Sequence, residues 1–283
     1  MRRALLISAL VLSGAAGCGH GQRVRDVAAL RQAPLYTFNE REVDAYLKWL
    51  ADRPLGTRRR VVRLGRQNVG QPYRLFLLGE FPFELYDPDP MYCLAAGDCV
   101  TFVEQTYAMA LARDWPSFFR TLQRIRYKDG QVGLLTRNHF TEADWNVHNA
   151  WLFADVTEIV AEGRARPMRT TIDRTAFFAK FGIDRKFPVQ HFESRYIPRE
   201  DLPDVLPRLQ DADVIEIVRG NKRSQYVSHV GLIMHDDSGG VTLLHSTIPA
   251  VREEPLLGYI QRHQNILGIK ILRLNRSVKL PDG

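Results

Sequence analysis

Ala96-Gly97-Asp98-Cys99-Val100-Thr101-Phe102-Val103-Glu104 is the stretch on which the fold turns. Gly97 and Asp98 break the preceding loop, after which Val100, Val103, Tyr107, Ala110 and Leu111 recur at helical spacing. Asp98 is a good N-cap, and Glu104 follows Thr101 at capping-box spacing, so a helix starts at Asp98 or within a turn of it and runs to about Arg113. Cys99 then takes the first helical position. Unpaired N–H groups and the positive end of the helix dipole favour a thiolate there, which predicts a lowered pKa and a nucleophile. The same N–H groups suit an oxyanion on an attacked carbonyl. The competing reading is a small buried residue, as most unpaired cysteines are.

Two histidines far downstream weigh against that competitor. Ser228 to Met234 alternates, with His229, Gly231 and Ile233 on one face, and Val241-Thr242-Leu243-Leu244-His245 reads as the returning strand after Asp236-Asp237-Ser238-Gly239-Gly240. A hairpin centred on Asp237 pairs residues whose numbers sum to 474, which sets His229 directly opposite His245, with Cβ atoms roughly 4.5–5.5 Å apart. A turn centred one residue later offsets them, so the register depends on the loop. A thiol, an imidazole and a second polar group to hold the imidazole are what acyl transfer needs. Zinc is the rival use of Cys99, His229 and His245, since these ligand types suit it, but no local His-x-x-x-His or Cys-x-x-Cys pair supports a metal site.

The remaining elements predict an α+β domain. Helices are expected over Val43 to Leu50, Arg60 to Val69 and Trp115 to Ile125. Strands are expected at Val214 to Val218, in the Ser228 hairpin and at Gly268 to Leu274. The stretch from Tyr127 to about Pro207 reads as a long insertion between helix and sheet, expected to wall a cleft. Within it His139 and Trp145 are candidates for substrate contact, against an equal claim for a structural aromatic cluster.

Met1-Arg2-Arg3 followed by an apolar run from Ala4 to Ala16 reads as a secretory signal, too short to span a membrane. The domains expected are a signal at 1–17, a polar tether at 18–35 and one catalytic domain at 36–283. The net charge of +7 includes Arg2 and Arg3, leaving 7 − 2 = +5 after cleavage, and Arg58-Arg59-Arg60 is the only compact basic run. No nucleic-acid motif is present, and export argues against such a partner. Of three cysteines, Cys93 is read as a free thiol, because pairing it with Cys99 would consume the nucleophile.

Asp98-Cys99-Val100-Thr101-Phe102-Val103-Glu104, Ser228-His229-Val230-Gly231 and Leu244-His245-Ser246-Thr247 together resemble the papain-like NlpC/P60 superfamily of cell-wall hydrolases. More narrowly they resemble its N-acetylmuramoyl-L-alanine amidase-like branch, DUF1460. Gly70-Gln71-Pro72-Tyr73 is similar to the superfamily's Gly-x-Pro-Tyr, and Arg137-Asn138-His139-Phe140 with Trp145 to the narrower branch. The resemblance spans about residues 60–275. It implies a central helix carrying the nucleophile packed on an antiparallel sheet, with Cys99 as nucleophile, His229 as base and then acid, and His245 as orienter. Tyr73, Asp98, His139 and Trp145 would contact substrate. It implies peptidoglycan or muropeptides as substrate and no cofactor. Glu84-Leu85-Tyr86-Asp87-Pro88-Asp89-Pro90 replaces the usual Trp-Gly-Gly run, so endopeptidase specificity is not inherited. Ala15-Ala16-Gly17-Cys18 resembles a lipobox, which implies a lipid anchor at Cys18, with Gly19 favouring the periplasmic face of the outer membrane. A silent wall-binding lipoprotein and a thiol acyltransferase are the alternatives.

Overall fold

The structure is a computed structural model that describes residues 24–221 and 224–278. The expected signal at 1–17, Cys18 and the first residues of the tether lie outside the described residues. The rest of the expected tether is packed rather than loose. Arg25 pairs with Glu42 at 2.7 Å, Asp26 caps helix α1 (Val27–Leu30), and Leu30 is fully buried.

Four longer helices follow: α2 (Glu40–Ala51), α3 (Thr57–Gln67), α4 (Cys99–Leu111) and α5 (Trp115–Arg126). Their start signals match the sequence. Asn39 and Glu42 form a capping box on α2, and Asp114 and Ser117 form one on α5. Short helices α6 (Asn146–His148), α7 (Thr157–Ala161), α8 (Arg174–Ala179), α9 (Leu202–Val205) and α10 (Leu256–Arg262) punctuate the rest.

The strands are β1 (Phe153–Asp155), β2 (Arg166–Ile172), β3 (Gln190–Pro198), β4 (Val214–Gly220), β5 (Gln225–His235), β6 (Val241–His245), β7 (Arg252–Pro255) and β8 (Ile266–Leu274). They form one antiparallel sheet in the order β2-β3-β8-β4-β5-β6-β7, with β1 also on β8. Strand alternation gives the sheet two apolar faces. Val214, Val230, Leu232 and Leu244 pack on α2 to α5, while Ile215, Ile217, Ile233 and Leu243 pack on α7, α9 and α10.

The middle segment is part of the sheet as well as a cover over it. It supplies β1, β2 and β3, extending the sheet, and is tied to it by a buried charge cluster. Lys270 of β8 lies 3.0 Å from Glu142, 3.4 Å from Asp155 and 3.9 Å from Glu216. Burial pushes Glu216 up to about 7, against the pull of Lys270.

Glu104 is no cap. It is buried in α4, where it accepts from Arg126 Nη1 at 3.0 Å and from Trp145 Nε1 at 3.0 Å. This joins α4 to α5 and to the middle segment. Removing one partner of such a pair strands a charge in the interior, at a cost of about 3–5 kcal/mol. Arg126→Met should therefore lower unfolding stability by about that amount in urea titration, and a loss below ~1 kcal/mol would mean the pair is not holding the helices.

Candidate active site

Cys99 stands at the first position of α4, as its neighbours predict. The cap is a reciprocal pair: Asp98 Oδ1 accepts from Val100 N at 3.0 Å and Thr101 N at 2.8 Å, and Thr101 Oγ1 accepts from Asp98 N at 2.8 Å. Asp98 thus commits Oδ1 to the helix start. The backbone N–H of Val230 on β5 reaches the Cys99 thiol, so the sulfur abuts the strand that carries His229.

The hairpin register differs from the expected one by two. Leu232 pairs with Leu244 and His235 with Val241, so the numbers sum to 476 and His245 stands opposite Gly231. The cause is the turn, which Asp236 closes by pairing with Gly240, with Gly239 left-handed at φ 83°. His229 is therefore the diagonal neighbour of His245, on the same face. A Cβ on Gly231 would come within 2.7 Å of Leu243 Cδ1 and 3.0 Å of His245 Cβ, so glycine is what lets the two imidazoles meet past it.

They meet closely. His229 Nε2 lies 2.7 Å from His245 Nδ1, and His245 Nε2 lies 3.0 Å from Glu254 Oε1 on β7. Arg252 at 2.9 Å and Arg262 both pair with Glu254. Burial opposes ionisation of Glu254, but the hydrogen bonds from Arg252 and His245 win and hold its carboxyl below the usual range. A carboxylate only accepts, so His245 must donate from Nε2. Its Nδ1 is then an acceptor, so His229 donates from Nε2, and Nδ1 of His229 is left as the basic nitrogen. Both nitrogens of His245 are engaged, which leaves it none for zinc. Tyr259 of α10 packs over the pair, its ring 5.1 Å from that of His245 and 6.2 Å from that of His229.

The electrostatics reverse one expectation. Burial, with Asp98 adding its charge, pushes the Cys99 thiol up to about 12, outweighing the N–H groups of Val230, Val100 and Cys99 itself. Burial also pushes His229 down to about 3, helped by His245, Arg219, His263 and Arg252. His245, fully buried, is pushed to about 4 by burial against the pull of Glu254. At neutral pH the resting groups are therefore a protonated thiol against β5 and two neutral imidazoles. The expected low-pKa thiolate does not form, because desolvation exceeds what one helix end supplies.

A family model described as AmiA-like, N-acetylmuramoyl-L-alanine amidase-like, matches residues 63–269, a range that contains Cys99, His229, His245 and Glu254. The chain belongs to this family. A solved structure of a Legionella pneumophila protein of the DUF1460 family is 21% identical, with a TM-score of 0.74 over 88% of this chain and 97% of that one. An N-acetylmuramoyl-L-alanine amidase from Bacteroides uniformis is 23% identical, with a TM-score of 0.63 over 78% of this chain and 99% of that one. At such identities the likeness is one of fold. No match is found among curated proteins.

Within this AmiA-like chain the other predicted site residues divide. Tyr73 lies at the site: its N–H donates to Pro249 O at 2.9 Å, its strand segment pairs with Gly97, and its phenol is raised by burial and by the charges of Cys99 and Asp98. Trp145 and His139 are each held by a hydrogen bond to the protein. Trp145 donates to Glu104, and His139 Nε2 donates to Leu134 O at 2.7 Å with its ring 4.6 Å from Phe177. Both line a cavity of about 50 Å³ with Val100 and Val230, the chain neighbours of Cys99 and His229. Cys93 and Cys99 are both free thiols. Glu254 escaped the sequence reading. The only signal for it is the alternation of Arg252 and Glu254 on one face of a short strand after His245, with Glu253 beside it as an equal candidate.

These proton positions predict two pH profiles. His229 stays unprotonated as pH falls until about pH 4, so the acid limb of kcat/KM should lie below pH 5 rather than near the ordinary imidazole value of about 6.5. Below a thiol pKa of about 12 the thiolate fraction grows tenfold per pH unit, so alkylation of Cys99 by iodoacetamide should be slow at pH 7 and still rising at pH 9. A labelling rate that levels off by about pH 10 would show an ordinary thiol.

Proposed function

We propose that this protein is a cysteine amidohydrolase of the bacterial envelope, working on the papain-like plan of the NlpC/P60 superfamily. Its substrate is peptidoglycan, at the N-acetylmuramoyl–L-alanine amide or a stem-peptide bond. The observation that carries this reading is the hydrogen-bonded chain His229–His245–Glu254 beside a helix-borne cysteine. Family membership supplies the substrate class.

In this mechanism Nδ1 of His229 takes the Cys99 proton as the sulfur attacks the amide carbonyl. The positive charge that develops on His229 is met by His245 and, through it, by Glu254. The Cys99 N–H and the Tyr73 hydroxyl, which its environment keeps protonated, are the donors available to the oxyanion, since Asp98 occupies the N–H groups of Val100 and Thr101. His229 then gives the proton to the departing amine, leaving a thioester. It next takes a proton from water, and hydroxide addition frees the acyl group and restores the thiol. Because the resting pair is neutral, proton transfer and attack run together, and the ion pair exists only while it is needed.

Sacculi digested with the protein should yield new termini identifiable by mass spectrometry. Cys99→Ala should abolish their release. His229→Ala should cost roughly 10⁴-fold or more in kcat, and His245→Gln less, because an orienter is partly replaceable. Glu254→Gln should cost least of the three, since an amide oxygen still accepts from His245. Full activity in both histidine variants would overturn the assignment, and intact sacculi with the wild type would leave a wall-binding protein.

Export and lipidation at Cys18 complete the proposal, placing the domain beside the wall it cuts; this rests on the sequence of 1–18 alone. Cys18→Ser should release the protein from membranes while leaving digestion of isolated sacculi intact. An unmodified mature chain by intact mass would overturn the anchor and not the chemistry.

A further inference from the structure

The face that carries His229 and His245 also carries a cation with nothing to hold. Side chains alternate along β4, so Arg219 leaves the sheet on the face of Ile217, and Ile217 pairs directly with His229. The ladder then slips by one residue, to Val218 with Val227, which sets Tyr226 opposite Arg219. Arg219, half-exposed Tyr226 and His229 thus share the open end of the β4–β5 hairpin, on the side where Tyr259 packs. Arg219 is the leading permanent charge felt by His229 and by Tyr259.

The other basic side chains at this rim are engaged. Arg252 and Arg262 pair with Glu254, and His263 bonds through Nδ1 to Tyr259 O at 2.8 Å and packs on the Tyr259 ring. Arg219 is different. Among the described residues its side chain has neither an ion-pair partner nor a hydrogen bond, and its Nε is buried with no acceptor. A guanidinium presents a planar fork of donors that matches a carboxylate, and a buried N–H without an acceptor is a position a ligand oxygen can satisfy.

We propose that Arg219 binds a carboxylate of the substrate, on the peptide side of the scissile amide. The scale fits. Two residues along β4 are about 7 Å, which is also about the span of an extended peptide from the cleaved amide to a carboxylate on the next residue. The ligand class is an acylated peptide whose second residue carries a free carboxylate, as D-glutamate does in the stem. Amidation of that group would remove the contact. Arg219 is therefore a specificity residue, and this deepens the peptidoglycan reading on which it rests.

The test is a cross of one residue with one functional group. Affinities are measured by calorimetry on Cys99→Ala, which makes binding independent of which bond is cut, for N-acetylmuramoyl-L-alanyl-D-glutamate γ-methylamide, whose α-carboxylate is free, and for the same compound with that carboxylate amidated. The carboxylate ligand should bind about tenfold or more tightly, as a charge-assisted pair does relative to a neutral one. Adding Arg219→Met should bring the two affinities together by weakening the carboxylate ligand alone, and Arg219→Lys should keep part of the preference. Equal affinities in Cys99→Ala, or equal loss for both ligands in Arg219→Met, would overturn the proposal. Thermal melts of both variants confirm folding. Sacculus digestion by the wild type reads the hydrolase separately, so a failure of either idea is seen as its own.

Discussion

Everything at the site depends on one seam, where the chain leaving β6 closes on the turn before α4. Ser246 Oγ donates to Gly97 O at 2.9 Å across 149 residues. The same connection takes the Tyr73 N–H on Pro249 O at 2.9 Å, and Val251 exchanges backbone bonds with Gly70 and Gln71. Gln71 Nε2 in turn holds Leu94 O at 2.8 Å. One short span therefore clamps the segment carrying Tyr73 and the turn carrying Asp98 against the strand that ends in His245. Cys99 sits where it does because Asp98 follows Gly97, and Gly97 is held from both sides.

That seam also explains why the chemistry is electrically quiet. Pressing the start of α4 against β5 removes water from the thiol and from His229 together, and each moves toward its uncharged form. An exposed cysteine at a helix start would ionise more readily, but it would not lie against β5. The same exclusion of water strengthens the hydrogen bonds that pin His245, since a buried dipole has few competitors. Glu254 brings a full negative charge to this dry place only because Arg252 and Arg262 stand at its outer side.

Local features were legible in the sequence and tertiary ones were not. The start of α4, its aspartate cap and the His229–His245 hairpin follow from short-range rules about turns and periodicity, and each is present. The register slipped by two because Asp236 and Gly240 pair around a left-handed Gly239, a detail of turn geometry that composition does not reveal. Glu104 was misread as a cap because spacing cannot tell a solvent-facing carboxylate from one that meets Arg126 in the interior. The thiol was expected to be acidic because a helix end is a local cause, whereas the desolvation that defeats it comes from β5, more than a hundred residues away. His139 and Trp145 carry family-like neighbours, but their bonds to Leu134 O and Glu104 join segments that no local pattern links.

The place of β8 has a consequence for how the molecule comes into being. It is the last strand in the chain, yet it lies in the middle of the sheet, between β3 and β4, with β1 on the same edge. Until Leu274 has emerged from the ribosome, β3 has no neighbour toward β4, and Lys270 is not there to neutralise Glu142 and Glu216. A nascent chain is thus a helical half and a hairpin without a keystone, slow to close because its decisive pairings span long stretches of sequence.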